Sequence, residues 1–325
     1  MIKVVITDGS FGSFDIEKGV LEPLGCEVVV HQGVATPAEL APLVADADYV
    51  LTQFAHVNSE VIAAMRRAKV IVRYGVGVDN VDLDAARARG IPVCNVPDYC
   101  LNEVADHTLA LILATTRHVV VHCVGVRNGR WTLAVPLTSM KALCDLTVGV
   151  MGFGRIGREV VRRLQAFKCR VLVHDPLVPA GQIRDSGCVP ASPEELFPQS
   201  DLVTLHLPAT AQTRHMINRE TIARMKPGAI LVNVSRGSLV DSAALVDALE
   251  RRHLSAAGLD VFDPEPILAD SPLLRMENVI VSPHIASASE HAVRMLRENA
   301  AGIVSKAIRG EPLPNVVNGV LARKP

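Results

Sequence analysis

Short runs of β-branched and aliphatic residues alternate along this chain with longer stretches of helical periodicity. In the first hundred residues the candidate strands are Lys3–Thr7, Glu27–His31, Tyr49–Gln53, Val70–Tyr74 and Pro92–Val96. Helical stretches such as Pro37–Ala45 and Asn58–Ala68 lie between them. From Asn102 to about Cys123 the pattern predicts a single helix, with Asn102 as N-cap and Glu103 and Asp106 in the first turn. Apolar residues cover most of its circumference, so it is expected to be buried on several sides. A second strand series follows: Thr147–Met151, Arg170–His174, Leu202–Leu207, Ala229–Val234, Ala256–Val261 and Val279–Ser282. A long last helix is predicted from about Ser289 to Arg309. Regular alternation of strand and helix calls for an α/β protein with parallel sheets.

The second series opens on Val148–Gly149–Val150–Met151–Gly152–Phe153–Gly154–Arg155–Ile156–Gly157, a strand running into a G-x-G-x-x-G turn. A helical pattern (Arg158 to Phe167) and the strand ending at Asp175 complete one βαβ unit, with an acidic residue about 20 positions on. Gly152 allows the tight turn, Gly154 lets the backbone approach a pyrophosphate, and Gly157 lets the helix pack closely. The helix N-terminus offers amides and a positive dipole end to phosphates. Asp175 can accept from both ribose hydroxyls and would repel a 2′-phosphate, which favours NAD over NADP. A turn or helix-cap role for Asp175 is the alternative.

Bulk numbers narrow the classes. A chain of 325 residues suits two domains, and 49% apolar composition supports a large core rather than disorder. The formal net charge of −1 without a long basic run argues against nucleic acid as partner. No uncharged apolar stretch of about 18 residues is present, so no membrane partner is expected. The N-terminus enters a strand pattern directly and shows no signal peptide. Seven scattered cysteines without a C-x-x-C pair suit a reduced cytoplasmic protein. His118 and His122 stand four apart on the predicted helix, a spacing that can hold zinc, but no third ligand accompanies them and no metal is expected.

The first hundred residues form an α/β unit without a phosphate loop, and substrate capture is the natural role for it. Clefts between α/β domains commonly hold small molecules. Four segments at carboxyl ends of predicted strands bear the candidate chemistry: Leu205–His206–Leu207–Pro208, Asn233 to Gly237, Asp260 to Pro266, and Ser282 to Ile285. Arg236 can hold a carboxylate by two hydrogen bonds and polarise the adjacent carbonyl. His284 can give or take a hydroxyl proton as hydride moves, and Glu265 beside it would favour its protonated form and fix its tautomer. Taken singly, each is equally at home as a surface arginine, a loop glutamate or a turn histidine.

Together with the glycine loop, these residues make the chain resemble the D-isomer-specific 2-hydroxyacid dehydrogenase family over essentially its whole length. The carrying motifs are Gly152 to Gly157, Asn233–Val234–Ser235–Arg236–Gly237, Asp260 to Pro266 and Pro283–His284. Arg73–Tyr74–Gly75–Val76–Gly77–Val78–Asp79–Asn80–Val81–Asp82 resembles the family's substrate loop. That loop and Cys94–Asn95–Val96–Pro97 are similar to the phosphoglycerate dehydrogenase and C-terminal-binding-protein-like branch.

The resemblance implies an NAD-dependent enzyme that interconverts a 2-oxo acid and its (R)-2-hydroxy acid. Arg236, Glu265 and His284 would be its catalytic set. It implies two doubly wound parallel-sheet domains, a Rossmann NAD-binding domain (99–284) inserted into a flavodoxin-like substrate domain (1–98 and 285–325). Around the cofactor it places Gly152, Gly154, Arg155, Ile156, Gly157, Asp175, Pro176, His206, Pro208, Thr213, Val234, Asp260 and Thr108, with Asp260 facing the nicotinamide. Around the substrate it places Phe54, Arg73, Val76, Gly77, Arg236 and His284. The Val76 and Gly77 amides would cradle the carboxylate, and Gln53, Phe54 and Arg73 would flank the variable end. Arg73 is open between a phosphate or second carboxylate and a structural ion pair. The resemblance implies a homodimer made by the first helix of the cofactor domain and the arm that follows it, including Trp131. No C-terminal regulatory domain or long tail is expected. The alternative function is a corepressor-like NAD(H)-sensing binding protein with little turnover.

Overall fold

The computed structural model describes residues 1–33 and 35–320. Two compact units emerge. One comprises Met1–Cys100 with the segment from Ser289 onward, and the other is Leu101–Ala288. Residues 321–325, assigned above to the first domain, lie outside the described residues.

The first unit holds a parallel sheet of β1 (Ile2–Ile6), β2 (Cys26–Val30), β3 (Tyr49–Thr52), β4 (Val70–Arg73) and β5 (Val93–Cys94) in the order β2-β1-β3-β4-β5, the flavodoxin-like arrangement. Successive side chains point to opposite faces. Val4, Ile6, Leu51 and Val72 therefore join the last helix, Glu290–Ile308, through Leu296, Ala300 and Val304. Val5, Val50, Ile71 and Val93 meet Leu40, Val44, Val61 and Ile62 of the helices Pro37–Val44 and Ser59–Ala64 on the other face. Burial on both faces explains why these strands read as unbroken apolar runs.

A buried ion pair ties this unit together across the sequence. Arg297 Nε and Nη2 donate to the Glu17 carboxylate at 2.9 and 2.6 Å, and the Tyr74 hydroxyl donates to Glu17 at 3.1 Å. Phe11 and Phe14 lie against the guanidinium. Burial and the Glu17 charge hold the Tyr74 phenol well above its usual range.

The second unit is a seven-stranded parallel sheet of β6 (Thr147–Met151), β7 (Arg170–His174), β8 (Val189–Pro190), β9 (Leu202–Leu205), β10 (Ala229–Asn233), β11 (Leu254–Leu259) and β12 (Val279–Val281). Its order, β8-β7-β6-β9-β10-β11-β12, is the Rossmann order with a seventh strand added. The chain order reverses between β6 and β9, so the crevice at that switch point lies beside the glycine turn.

The single helix expected from Asn102 to Cys123 is two helices, Leu101–Thr116 and Val119–Arg127, bent by 64°. At the break His118 takes a left-handed φ of 52°. Thr115 and Thr116 turn their hydroxyls back onto Leu111 and Ile112, and a β-branched run follows, both of which weaken helix continuation. His118 and His122 consequently do not share one helix face. His122 Nδ1 lies 2.8 Å from the His118 carbonyl instead. Asn102 is not an N-cap either: it sits inside the helix and accepts from Arg163 at 3.0 Å. Among the described residues no single helix is long and apolar enough to cross a membrane.

Candidate active site

The glycine turn is built by contact. Gly152 has a φ of 99°, and a Cβ there would stand 2.3 Å from the His206 carbonyl oxygen. A Cβ on Gly157 would stand 2.2 Å from the Gly152 carbonyl oxygen, so the third glycine seats the helix on the turn itself. Beside Gly154 the space is open, with nothing within 4 Å of a built Cβ. The helix begins at Arg155, three residues earlier than the periodicity indicates, with Gly154 as its N-cap. The Arg158 amide makes the first intrahelical bond, to Gly154 at 3.0 Å. The amides of Arg155, Ile156 and Gly157 thus belong to the unsatisfied first turn, the place a pyrophosphate takes. These features fit a dinucleotide.

Asp175 ends β7 and closes the turn from the other side. Its Oδ2 accepts from the Phe153 amide at 2.7 Å and its Oδ1 from the Leu177 amide at 2.8 Å. A carboxylate offers about four acceptor sites, so these two bonds leave capacity for a diol. Pro176 beyond it is exposed. At the end of β9 the His206 ring lies 3.0 Å from Thr204 Oγ1, and burial pushes its imidazole down to about 3. His206 therefore meets the turn through its backbone, with a neutral ring. Thr213 donates to the Pro208 carbonyl at 2.7 Å, closing that loop.

The His206 shift has a thermodynamic sign. Unfolded histidine titrates near 6.5, so between about 6.5 and 3 only the unfolded chain binds this proton. Stability then falls as the pH falls, by up to about 1.4 kcal/mol per unit. His206→Asn is expected to flatten the acid limb of denaturation midpoint against pH between 6.5 and 4, relative to the parent. Parallel limbs would exclude this role.

The ends of β10, β11 and β12 bring the charged groups together. After β10, Asn233 Nδ2 donates to the Arg236 carbonyl at 2.8 Å and Asn233 Oδ1 accepts from the Ser235 amide. Ser235 Oγ donates to the Leu207 carbonyl. Gly237 lies flush on the next loop: a Cβ there would stand 1.9 Å from the Phe262 carbonyl carbon. This contact pins Arg236 beside the segment carrying Glu265. Glu265 Oε1 accepts from the Phe262 amide at 2.8 Å, and Oε2 lies 2.8 Å from His284 Nδ1. Burial pushes the Glu265 carboxyl up, but the His284 bond and charge, the Phe262 amide and the Arg236 charge outweigh it and hold it below its usual value. The carboxylate is thus ionised at neutral pH.

The other residues singled out from the sequence hold the following positions. Asp260, expected to face the nicotinamide, is 0% exposed, and its carboxylate takes the Ser282 hydroxyl and the amides of Ile285 and Ala286. Thr108 is likewise 0% exposed, its hydroxyl donated to Val104 within the helix. Val234 is buried. In the first unit Gln53 is buried and accepts from the Ser10 amide and hydroxyl, bracing that loop. Phe54 is exposed, its amide held by Asp8. Arg73 is buried with its guanidinium folded over Gly75, where a Cβ would stand 1.7 Å from Nη1. Asn95 donates to the Val76 carbonyl at 2.6 Å and fixes the Val76–Gly77 turn from below.

Asp8 carries no mark in the sequence, and Asn233, Ser235, Gly237 and Ser282 stand there only as members of motifs, without roles of their own. Asn233 and Gly237 carried a signal, since Asn-x-Ser at a strand end is an Asx-turn pattern and a glycine two residues on marks close backbone approach.

Comparison with known proteins agrees with this architecture. Residues 109–286 match the model of the D-isomer specific 2-hydroxyacid dehydrogenase NAD binding domain. The chain is 40% identical to a D-3-phosphoglycerate dehydrogenase of Mycobacterium tuberculosis over 86% of its own length, and spans about half (53%) of that relative. It is 40% identical to a glyoxylate reductase of Korarchaeum cryptofilum, covering 81% of this chain and 80% of that one. Among solved structures, the Aquifex aeolicus D-lactate dehydrogenase complexed with NAD and lactic acid has a TM-score of 0.85 at 31% identity, over 95% and 96% of the two chains. With the Rossmann order, the glycine turn and these relatives in agreement, the chain belongs to the D-isomer specific 2-hydroxyacid dehydrogenase family and carries its NAD-binding domain.

Proposed function

We propose that this protein is an NAD-dependent oxidoreductase that interconverts a 2-oxo acid and its (R)-2-hydroxy acid, with Arg236, Glu265 and His284 as its catalytic residues. The observation that carries this reading is the 2.8 Å contact between His284 Nδ1 and an ionised Glu265, beside the Arg236 charge. Nicotinamide, when bound, supplies or accepts the hydride. His284 directs its Nδ1 proton at Glu265, which leaves Nε2 to deliver a proton to the carbonyl oxygen. Glu265 stabilises the doubly protonated ring and fixes its plane. Arg236 holds the substrate carboxylate in a planar fork and withdraws charge from the neighbouring carbonyl. In the first unit, Val76 and Gly77 are assigned to the substrate carboxylate, and Phe54 to its variable end. Arg73, folded onto its own loop, serves better as a brace than as a phosphate anchor.

NADH oxidation against a panel of 2-oxo acids tests this directly. Turnover of glyoxylate, pyruvate or hydroxypyruvate is expected. No turnover on any acid, with nucleotide binding retained, would favour a nucleotide-sensing binding protein. The preference for NAD is assigned to Asp175. Asp175→Ala is expected to raise the NADP-to-NAD ratio of kcat/KM about tenfold, the worth of some 1.4 kcal/mol. An unchanged ratio would sink that assignment.

We also propose a homodimer through the segment from Val119 to Leu137. Val119, Val124, Val126, Trp131, Leu133 and Leu137 are all exposed there, Trp131 at 86%. Large apolar side chains exposed together along one segment suit an interaction surface. Sedimentation equilibrium should give twice the chain mass, and Trp131→Lys should shift it toward the monomer.

A further inference from the structure

The loop that carries His284 is held by a group on a different element. His284 has a left-handed φ of 54°, a conformation that a non-glycine residue keeps only when its surroundings impose it. Here the imposing group is Asp260. Its carbonyl accepts from the His284 amide at 2.8 Å. Its carboxylate accepts from Ile285 at 3.0 Å and from Ala286 at 2.8 Å. That carboxylate is wholly buried, so its orientation depends on what else donates to it. Ser282 Oγ donates to Oδ1 at 2.5 Å. On the far side of Ser282 stands His107, from the helix Leu101–Thr116, with Nε2 at 3.0 Å from Ser282 Oγ and 3.7 Å from Asp260 Oδ1.

With the Asp260 carboxylate as acceptor, the proton count in this chain has one solution. A hydroxyl has a single proton, and Ser282 gives it to Asp260. Toward His107 the Ser282 oxygen can only accept, so His107 Nε2 must carry the hydrogen. His107 is a donor at the head of a relay that runs through Ser282 and Asp260 to the backbone amides just after His284. Its side chain is 24% exposed and has no part in the charged set of Arg236, Glu265 and His284.

We infer that His107 is a positioning residue for the proton donor: its Nε2–H, through Ser282, orients the buried Asp260 carboxylate that fixes the backbone of the His284 loop. The inference rests on the reading of His284 as proton donor. Small misplacements of such a donor are costly, since an error of about 1 Å can remove ~10²-fold in rate.

The test is His107→Phe beside His107→Gln, whose amide nitrogen can replace Nε2 as donor, and Ser282→Ala, which cuts the same relay. His107→Phe and Ser282→Ala are expected to lower kcat by roughly 10- to 100-fold, with KM for the 2-oxo acid and NADH affinity little changed. His107→Gln should recover most of the loss. The double variant His107→Phe/Ser282→Ala should lose no more than the worse single one, because both act through one chain. In histidine 1H–15N correlation spectra, the His284 imidazole signals should move in His107→Phe and return in His107→Gln. An unaltered kcat in His107→Phe would overturn the proposal, as would a loss that glutamine does not restore. Wild-type inactivity on every 2-oxo acid would sink the reading of His284 instead. In that case unmoved His284 signals overturn the positioning role, and moved signals support it without any turnover.

Discussion

His284→Ala is expected to lower kcat for 2-oxo acid reduction by about 10²- to 10⁴-fold, the usual worth of a positioned general acid, while the NADH dissociation constant stays the same. The ring is held at Nδ1 by Glu265, and the loop geometry is set by Asp260 acting on backbone amides, which alanine keeps. The loss should therefore fall on the chemical step and not on folding. Glu265→Gln should be milder and should change the pH profile. Glu265 is held below its ordinary value by His284, the Phe262 amide and Arg236 against the opposing effect of burial, so it is anionic where the enzyme works. Glutamine removes that charge and makes the protonated ring less favourable. Reduction needs the protonated ring, so its alkaline limb should move to lower pH. The acid limb of oxidation, which needs the ring deprotonated, should move the same way. Full activity in His284→Ala, or a Glu265→Gln profile shifted to higher pH, would exclude this acid.

Gly152→Ala is expected to cost both stability and cofactor affinity, whereas Gly154→Ala should cost affinity alone. At Gly152 an added Cβ would stand 2.3 Å from the His206 carbonyl oxygen, which is backbone and cannot swing away. The φ of 99° adds strain of its own, of order 1–3 kcal/mol. The turn must open, and the Phe153 amide would leave Asp175. Losses of 1–3 kcal/mol correspond to roughly 5- to 150-fold in binding. At Gly154 φ is −72° and the space for a Cβ is open, so the melting temperature should hold while NADH binding weakens. Equal melting temperatures for Gly152→Ala and the parent would contradict the contact. Unchanged NADH binding in Gly154→Ala would mean that the pyrophosphate does not lie there.

Much of this was legible in sequence because buried parallel strands are written as uninterrupted β-branched runs, and the glycine turn has a fixed spacing. Segments such as Thr147–Met151 and Arg170–His174 coincide with the observed strands for that reason. Arg236, Glu265 and His284 stood out because each follows a strand. What stayed hidden was decided by partners far along the chain. Nothing local marks Asp260 as a buried loop anchor, since its donors come from Ser282, Ile285 and Ala286. Nothing local shows that the Thr108 hydroxyl donates to Val104 or that Gln53 Oε1 accepts from Ser10. The helix break at His118 was obscured because periodicity reports which face is apolar, and two helices in succession can share an apolar character without sharing an axis.

The Glu17–Arg297 pair also sets an order of events during synthesis. The two residues are 280 positions apart, and Leu101–Ala288 is a continuous stretch between them. At ~5–20 residues per second, Arg297 leaves the ribosome roughly 15–60 s after Glu17. Throughout that interval the N-terminal segment holds a carboxylate whose buried counter-charge has yet to be made, and the helix that covers one face of its sheet is also missing. The nucleotide-binding unit, encoded without interruption, can complete itself first. The unit that holds Glu17 thus cannot close its buried pair until the whole of Leu101–Ala288 has been made.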